Sequence, residues 1–297
     1  MKYLYSLGFV WLCAGCSLLS SKKKVFDYCY VNSKGLYAVA YGKEPTRVYV
    51  NGTDPQLSPD GRKIAYTDVG ARDHQRRIGV FDLEAGKVTI LDTSCQNCYG
   101  PVWSPDGNYI VYNAFTGKDW GIKYVDKDNQ HPVVLATPAD SLLVFSSPTW
   151  SADSRKIVVG ASGRTGPQAV YIYGLDGRVL QSISFEQLDT SLAFSSASTF
   201  VLNRGEDKLV YWASVSQESK DGESPTAVFV HDLAAGRSVR ISPKGYVCWQ
   251  PVLKGDTVFC NGKHSGSGKE NIYRMDLDGG HFALAYKNRA DVSFASR

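Results

Sequence analysis

The chain has 297 residues, 43% of them hydrophobic and 12% aromatic, which is enough to bury a sizeable core and too apolar for a disordered polymer. Its 33 Lys and Arg against 29 Asp and Glu leave a formal charge of +4, part of it in Lys22-Lys23-Lys24. Beyond that run the charge is nearly balanced, which excludes a nucleic-acid partner on electrostatic grounds.

The N-terminus reads as an export signal. Met1-Lys2 is followed by an apolar stretch from Tyr3 to Leu12, shorter than the roughly 20 residues that span a bilayer, and then by Cys13-Ala14-Gly15-Cys16. This resembles a bacterial lipoprotein signal, in which a cysteine after two small residues is lipidated and becomes the new N-terminus. Cys16 is that residue, because bulky Trp11 and Leu12 precede Cys13. Residues 1–15 are then the signal peptide and 16–24 a lipidated tether. Several acyl chains, at about 0.8 kcal/mol per buried methylene, give stable anchoring. Ser17, with no Asp after the cysteine, implies by the same resemblance the outer membrane, facing the periplasm.

Phe26 to Val31, Leu36 to Tyr41 and Thr46 to Val50 read as three strands with no partner before them. A repeat then begins. Pro55-Gln-Leu-Ser-Pro-Asp-Gly-Arg-Lys-Ile-Ala-Tyr66 returns as Pro101-Val-Trp-Ser-Pro-Asp-Gly-Asn-Tyr-Ile-Val-Tyr112 and as Pro148-Thr-Trp-Ser-Ala-Asp-Ser-Arg-Lys-Ile-Val-Val159. Units of about 40 to 50 residues, rich in short strands and turns, are the signature of a β-propeller. Within each corner Pro presets φ, Asp bonds nearby backbone, and Gly takes the positive φ. A third strand then ends in Asp, as at Asp82, Asp126, Asp232 and Asp276, and a Gly-bearing turn leads to a fourth.

The fourth copy, Leu202 to Leu209, has lost the Pro-Asp-Gly sequence, and the fifth, Pro251 to Val258, is two residues shorter. Ser214 to Pro225 reads as a solvated loop between strands. The last unit of the ring is split. Asp291-Val-Ser-Phe294 stands in the register of Gly100-Pro-Val-Trp103, supplying the first strand that Phe26 to Val50 lack. The expectation is an all-β, six-bladed propeller of four-stranded antiparallel blades over residues 25–297, closed by a C-terminal strand joining the N-terminal blade, which removes open edges.

Chemistry is sparse. Cys95-Gln-Asn-Cys98 has neither the second pair of a zinc site nor the βαβ context of a redox motif, so it reads as a local disulfide in an oxidising compartment. Cys248 and Cys260 fall on adjoining strands and can pair, leaving Cys29 free. Gly262 to Lys269 has the wrong spacing for a phosphate loop and reads as a hairpin loop. The five histidines share no metal-ligand spacing, and no cofactor or metal is implied. No Gly-x-Ser-x-Gly elbow appears, so no catalytic residue is assigned. Trp103, Trp150 and Trp249 read as packing between blades. What remains is the ring just before each first strand: Asp54, Gly100, Ser147, Thr199, Gln250 and Asp291. This mostly polar mouth, with acids on adjacent blades, can hold a cation or an incoming peptide.

The Ser-Pro-Asp-Gly corner, the aliphatic strand after it and the Asp-Leu-x-x-Gly-type turn resemble the WD40-like PD40 repeats of the TolB propeller, over nearly the whole mature chain. The resemblance implies a non-catalytic, protein-binding module of the cell envelope whose partner is another envelope protein, a peptidoglycan-associated lipoprotein by analogy. The alternative from another class is a periplasmic hydrolase or lyase with its site at the channel mouth.

Overall fold

A computed structural model describes residues 25–295 apart from 49, 71–72, 96, 129–130, 138–142, 164–167 and 216–224, so Cys16 and most of the Ser214 to Pro225 loop lie outside the described residues. Six antiparallel sheets follow one another, each a blade of four strand positions. Blade 2 shows the plan: Gly52–Leu57, Lys63–Val69, Arg76–Asp82 and Lys87–Leu91, from the inside outward. Blade 1 takes its inner strand, Ala290–Phe294, from the far end of the chain, paired antiparallel to Tyr28–Asn32 with Cys29 opposite Ser293. Ser293 also ties the closure to blade 2, accepting from Leu57 N at 3.0 Å and donating to Gln56 Oε1 at 3.1 Å.

Two blades depart from the simple meander. In blade 4 the innermost position is shared by Leu143–Phe145 and Thr149–Trp150, and in blade 5 by Leu192–Ala193 and Phe200–Leu202. A four-residue helix, Phe185–Leu188, lies between these blades, its Ser184 cap and Gln187 forming a reciprocal capping box. Neither feature has a copy among the described residues of the other blades.

The core is divided into six apolar clusters, one at each junction between neighbouring blades. Second-strand residues alternate between the two junctions their sheet faces, as strand period dictates. Ile157 and Val159 pack toward blade 3 while Val158 packs toward blade 5, and Leu209 and Tyr211 pack toward blade 4 while Val210 packs toward blade 6. This is why these strands read as unbroken apolar runs.

Close approach decides some positions. At Gly160 a Cβ would lie 2.4 Å from the Phe200 ring, itself fully buried. Gly160→Val is therefore expected to destabilise by roughly 1–3 kcal/mol through overpacking, with Phe200→Leu recovering part of the loss in the double variant. Urea unfolding of the four proteins checks it, and strictly additive losses would mean that the two residues do not share that space.

The corners behave as the repeat predicts. Asp60, Asp106 and Asp153 accept from Ser58, Ser104 and Ser151 hydroxyls at 2.7, 2.6 and 2.6 Å, and from backbone N–H groups two residues on. The fourth copy keeps this geometry despite its sequence. Asn203 replaces the serine, its Oδ1 accepting from Lys208 N at 2.9 Å, and Glu206 at φ 54° stands where Gly61 has φ 71°. Cys248 and Cys260 are adjacent on neighbouring strands but are free, buried thiols, as is Cys29, whose titration burial pushes up to about 12. The Cys248–Cys260 pairing that the sequence allows is thus not formed.

Candidate functional site

Inner strands line a central cavity of about 450 Å³ to which all six blades contribute. The predicted ring is brought together there: Asp54, Gly100, Ser147, Thr199, Gln250 and Asp291 all line it. Since each inner strand runs from its ring residue to its corner, the ring marks one end of the cavity and the Ser-Pro-Asp-Gly corners the other. Trp103 and Trp150, at the corner ends, line it and also bury 91% or more of their surface in the junction clusters. Trp249 differs, being only half-buried beside the ring residue Gln250.

The ring has a distinctive backbone. Asp54, Gly100, Gln250 and Asp291 have φ of 53°, 64°, 48° and 50°, and each lies in a break of register between inner and second strands. These are β-bulges in which the extra residue turns toward the channel, a conformation that favours glycine. Three of the four are not glycine, and left-handed residues with side chains cluster at functional sites. Proline follows the ring residue at positions 55, 101, 148 and 251. It removes an N–H that a channel-facing edge strand would leave unpaired.

A second layer, which the sequence reading did not single out, holds the ring in place. Thr67, Asn113 and Asn261 occupy one register position on the second strands, opposite Thr53, Tyr99 and Trp249. Each is the third residue after the strand's first aliphatic, at Ile64, Ile110 and Val258, a polar interruption that was visible in the sequence. Thr67 Oγ1 donates to Asp54 Oδ2 at 2.6 Å and accepts from Gly100 N at 2.9 Å. Asn261 Nδ2 donates to Gln250 Oε1 at 2.7 Å and Asp291 Oδ1 at 3.0 Å, while its Oδ1 accepts from Asp291 N at 2.9 Å. Thr67 and Asn261 each stitch their own blade's ring residue to that of the next.

The two acids sit in different surroundings. Burial raises the Asp291 carboxyl above the usual range and the charge of Asp54 raises it further, against the hydrogen bond from Asn261. Asp54 is exposed. At the rim, Tyr99 lines the cavity, with the Arg76 guanidinium 4.6 Å from its ring centre and Trp120 edge-on at 5.3 Å. Arg76 Nε donates to Asn97 at 2.8 Å, which fixes it over the ring. Burial raises the Tyr99 hydroxyl titration, opposed by Arg76 and assisted by Asp54.

Elsewhere, Cys95 and Cys98 are disulfide-bonded with Cα atoms 6.2 Å apart. With Asp92 they form a compact group of metal-ligand type, but the Asp92 carboxylate is already held by Lys123, Ser94 and Tyr112. The glycine-rich segment after Gly262 is the end of one strand and the turn to the next in blade 6.

Six closed blades around a polar-mouthed cavity define a six-bladed β-propeller. No family model and no curated protein matches the sequence. Among solved structures the chain is similar to a protein described as TolB from Agrobacterium tumefaciens, at 14% identity, with a TM-score of 0.63 over 90% of this chain and 92% of that one. TolB from Acinetobacter baumannii follows at 18% identity and 0.61, over 91% of this chain and 66% of that one. The fold is also shared by a puromycin-hydrolysing peptidase of Mycobacterium tuberculosis, of which this chain spans 45%, and by an oligogalacturonate lyase of Vibrio parahaemolyticus, of which it spans 72%, with TM-scores of 0.60 and 0.54. At identities of 16% and 12% these likenesses, too, establish the fold alone.

Proposed function

We propose that this chain is a non-catalytic binding module of the bacterial envelope, anchored by lipid at Cys16, that receives a segment of another envelope protein at its channel mouth. The TolB resemblance makes a peptidoglycan-associated lipoprotein the first candidate partner. One observation supports the reading above the others: the six ring positions, which carry Asp, Gly, Ser, Thr, Gln and Asp, converge on one cavity, four of them at positive φ and held by Thr67 and Asn261. Rigid meanders carrying a variable mouth suit recognition. No helix among the described residues is long and apolar enough to cross a membrane, so the proposed attachment rests on the Met1 to Cys16 signal.

Photo-crosslinking side chains placed at Tyr99 and Ser196, at the mouth, and at Asp60 and Asp106, at the corners, test the reading in the native envelope. Adducts to an envelope protein are expected from the mouth positions. Adducts from the corners alone would overturn the mouth as the docking face. A turnover found in an activity screen and abolished by Asp54→Ala with Asp291→Ala would replace binding by the hydrolase or lyase reading. Separately, Cys16→Ala is expected to lose palmitate labelling and to move the protein from the membrane to the soluble fraction; a labelled, sedimenting variant sinks the anchor.

A further inference from the structure

The ring is chemically polarised, and the polarity names a ligand class. Blades 1 and 2 present acceptors. Asp54 binds Thr67 and Thr53 through Oδ2, and Asp291 binds Asn261 through Oδ1, so each carboxylate keeps its other oxygen for the cavity. Asp54 and Asp291 are also the only charged groups among the described lining residues, so the lining itself is anionic, with the Arg76 guanidinium at the rim over the Tyr99 ring. Two carboxylates on adjacent blades facing one cavity favour a cation between them.

Blades 3, 4 and 5 present donors instead. Asn113 is 1% exposed and its Nδ2 has no hydrogen-bond partner in the protein. The reason lies in the stitch: Asn261, in the same register, gives its Nδ2 to Gln250, whereas Asn113 faces Gly100, which has no side chain to accept. The space a Gly100 Cβ would take lies 3.8 Å from Asn113 Nδ2 and 3.7 Å from Ser147 Oγ. The Thr199 hydroxyl, on the next blade but one, is likewise buried and unpartnered. A buried donor without an acceptor destabilises the empty site, and a ligand oxygen placed there removes that penalty.

We infer that the mouth recognises the free N-terminus of a peptide, the α-ammonium between Asp54 and Asp291 and a backbone carbonyl of the first residues at the Gly100 gap, against Asn113 and Ser147. The inference rests on the docking function proposed above and narrows it to a chain end. Trp103 and Trp150, deeper in the cavity, supply apolar surface for side chains of the same peptide.

The test uses the full chain and a pool of random pentapeptide amides, prepared once with free and once with acetylated N-termini, with retention measured by equilibrium dialysis and mass spectrometry. Free-amine peptides are expected to be retained at least ten-fold over their acetylated forms. Asp54→Asn with Asp291→Asn should erase that preference. Gly100→Asn, whose side-chain oxygen reaches toward Asn113 and fills the gap, should lower retention ten-fold without lowering the melting temperature. Equal retention of acetylated peptides overturns the inference; if Gly100→Asn still blocks both, docking at the mouth survives. Retention of neither pool also overturns it, and crosslinks from Tyr99 and Ser196 then decide the docking reading on their own. Undiminished binding by a folded Gly100→Asn removes the carbonyl position.

Discussion

Replacing Asp92 with Ala is expected to destabilise the protein by about 3–5 kcal/mol, the usual loss when a buried ion pair is left with one partner. The Asp92 carboxylate is 1% exposed and pairs with Lys123, 14% exposed, across the junction of blades 2 and 3. It also accepts from Ser94 and, at 2.8 Å, from the hydroxyl of Tyr112, whose ring is fully buried. Removing it strands an ammonium and two hydroxyls together. Asp92 further sits at φ 43°, which Asn tolerates and Ala does not, so Asp92→Asn isolates the charge from the backbone effect.

The pH dependence has a definite sign. Burial would raise the Asp92 carboxyl, but the bonds from Lys123, Ser94 and Tyr112 outweigh it and hold it below its ordinary range. A carboxyl lowered by folding contributes stability that is complete above the unfolded value, about 3.9, and is lost as pH falls through the folded one. The gap between wild type and Asp92→Asn should therefore narrow below about pH 4. Urea unfolding at pH 3 and pH 7 measures it, and Lys123→Met in the Asp92→Asn background should recover much of the loss at pH 7. A gap that is constant with pH would mean that the pair is not ionised in the fold.

This pair also shows where sequence reading stopped. The corners, the strand alternation and the closing strand were legible because each is carried by residues within about a dozen positions, repeated blade after blade. Asp92 and Lys123 are 31 residues apart on different blades and repeat nowhere. The helix Phe185–Leu188 and the divided inner strands of blades 4 and 5 were missed for the same reason. Corner chemistry was, if anything, underestimated: Asn203 reproduces the serine's hydrogen bonds with an amide, so the fourth corner survived the loss of its sequence. The ring was found by register alone. What register did not reveal was its support, because Thr67, Asn113 and Asn261 look like ordinary polar breaks until the bulges show what each faces.

Asp291→Asn is expected to stabilise the protein at neutral pH, by roughly 0.5–2 kcal/mol, the usual gain when a residue kept for function is relieved of a structural compromise. Asn is nearly isosteric, tolerates φ 50°, and still accepts from Asn261 Nδ2. What it lacks is the charge. Because burial and Asp54 raise the Asp291 carboxyl in the fold, the folded protein holds a proton that the unfolded chain releases near pH 3.9. Stability is therefore lost as pH rises from the unfolded value to the folded one, and above that window the penalty is complete. The variant should match wild type near pH 3 and exceed it at pH 7. A variant less stable than wild type at pH 7 would make Asp291 a structural acid held by Asn261. A gain accompanied by loss of the free-amine preference would instead identify a charge kept at the mouth for a ligand, at the expense of the fold.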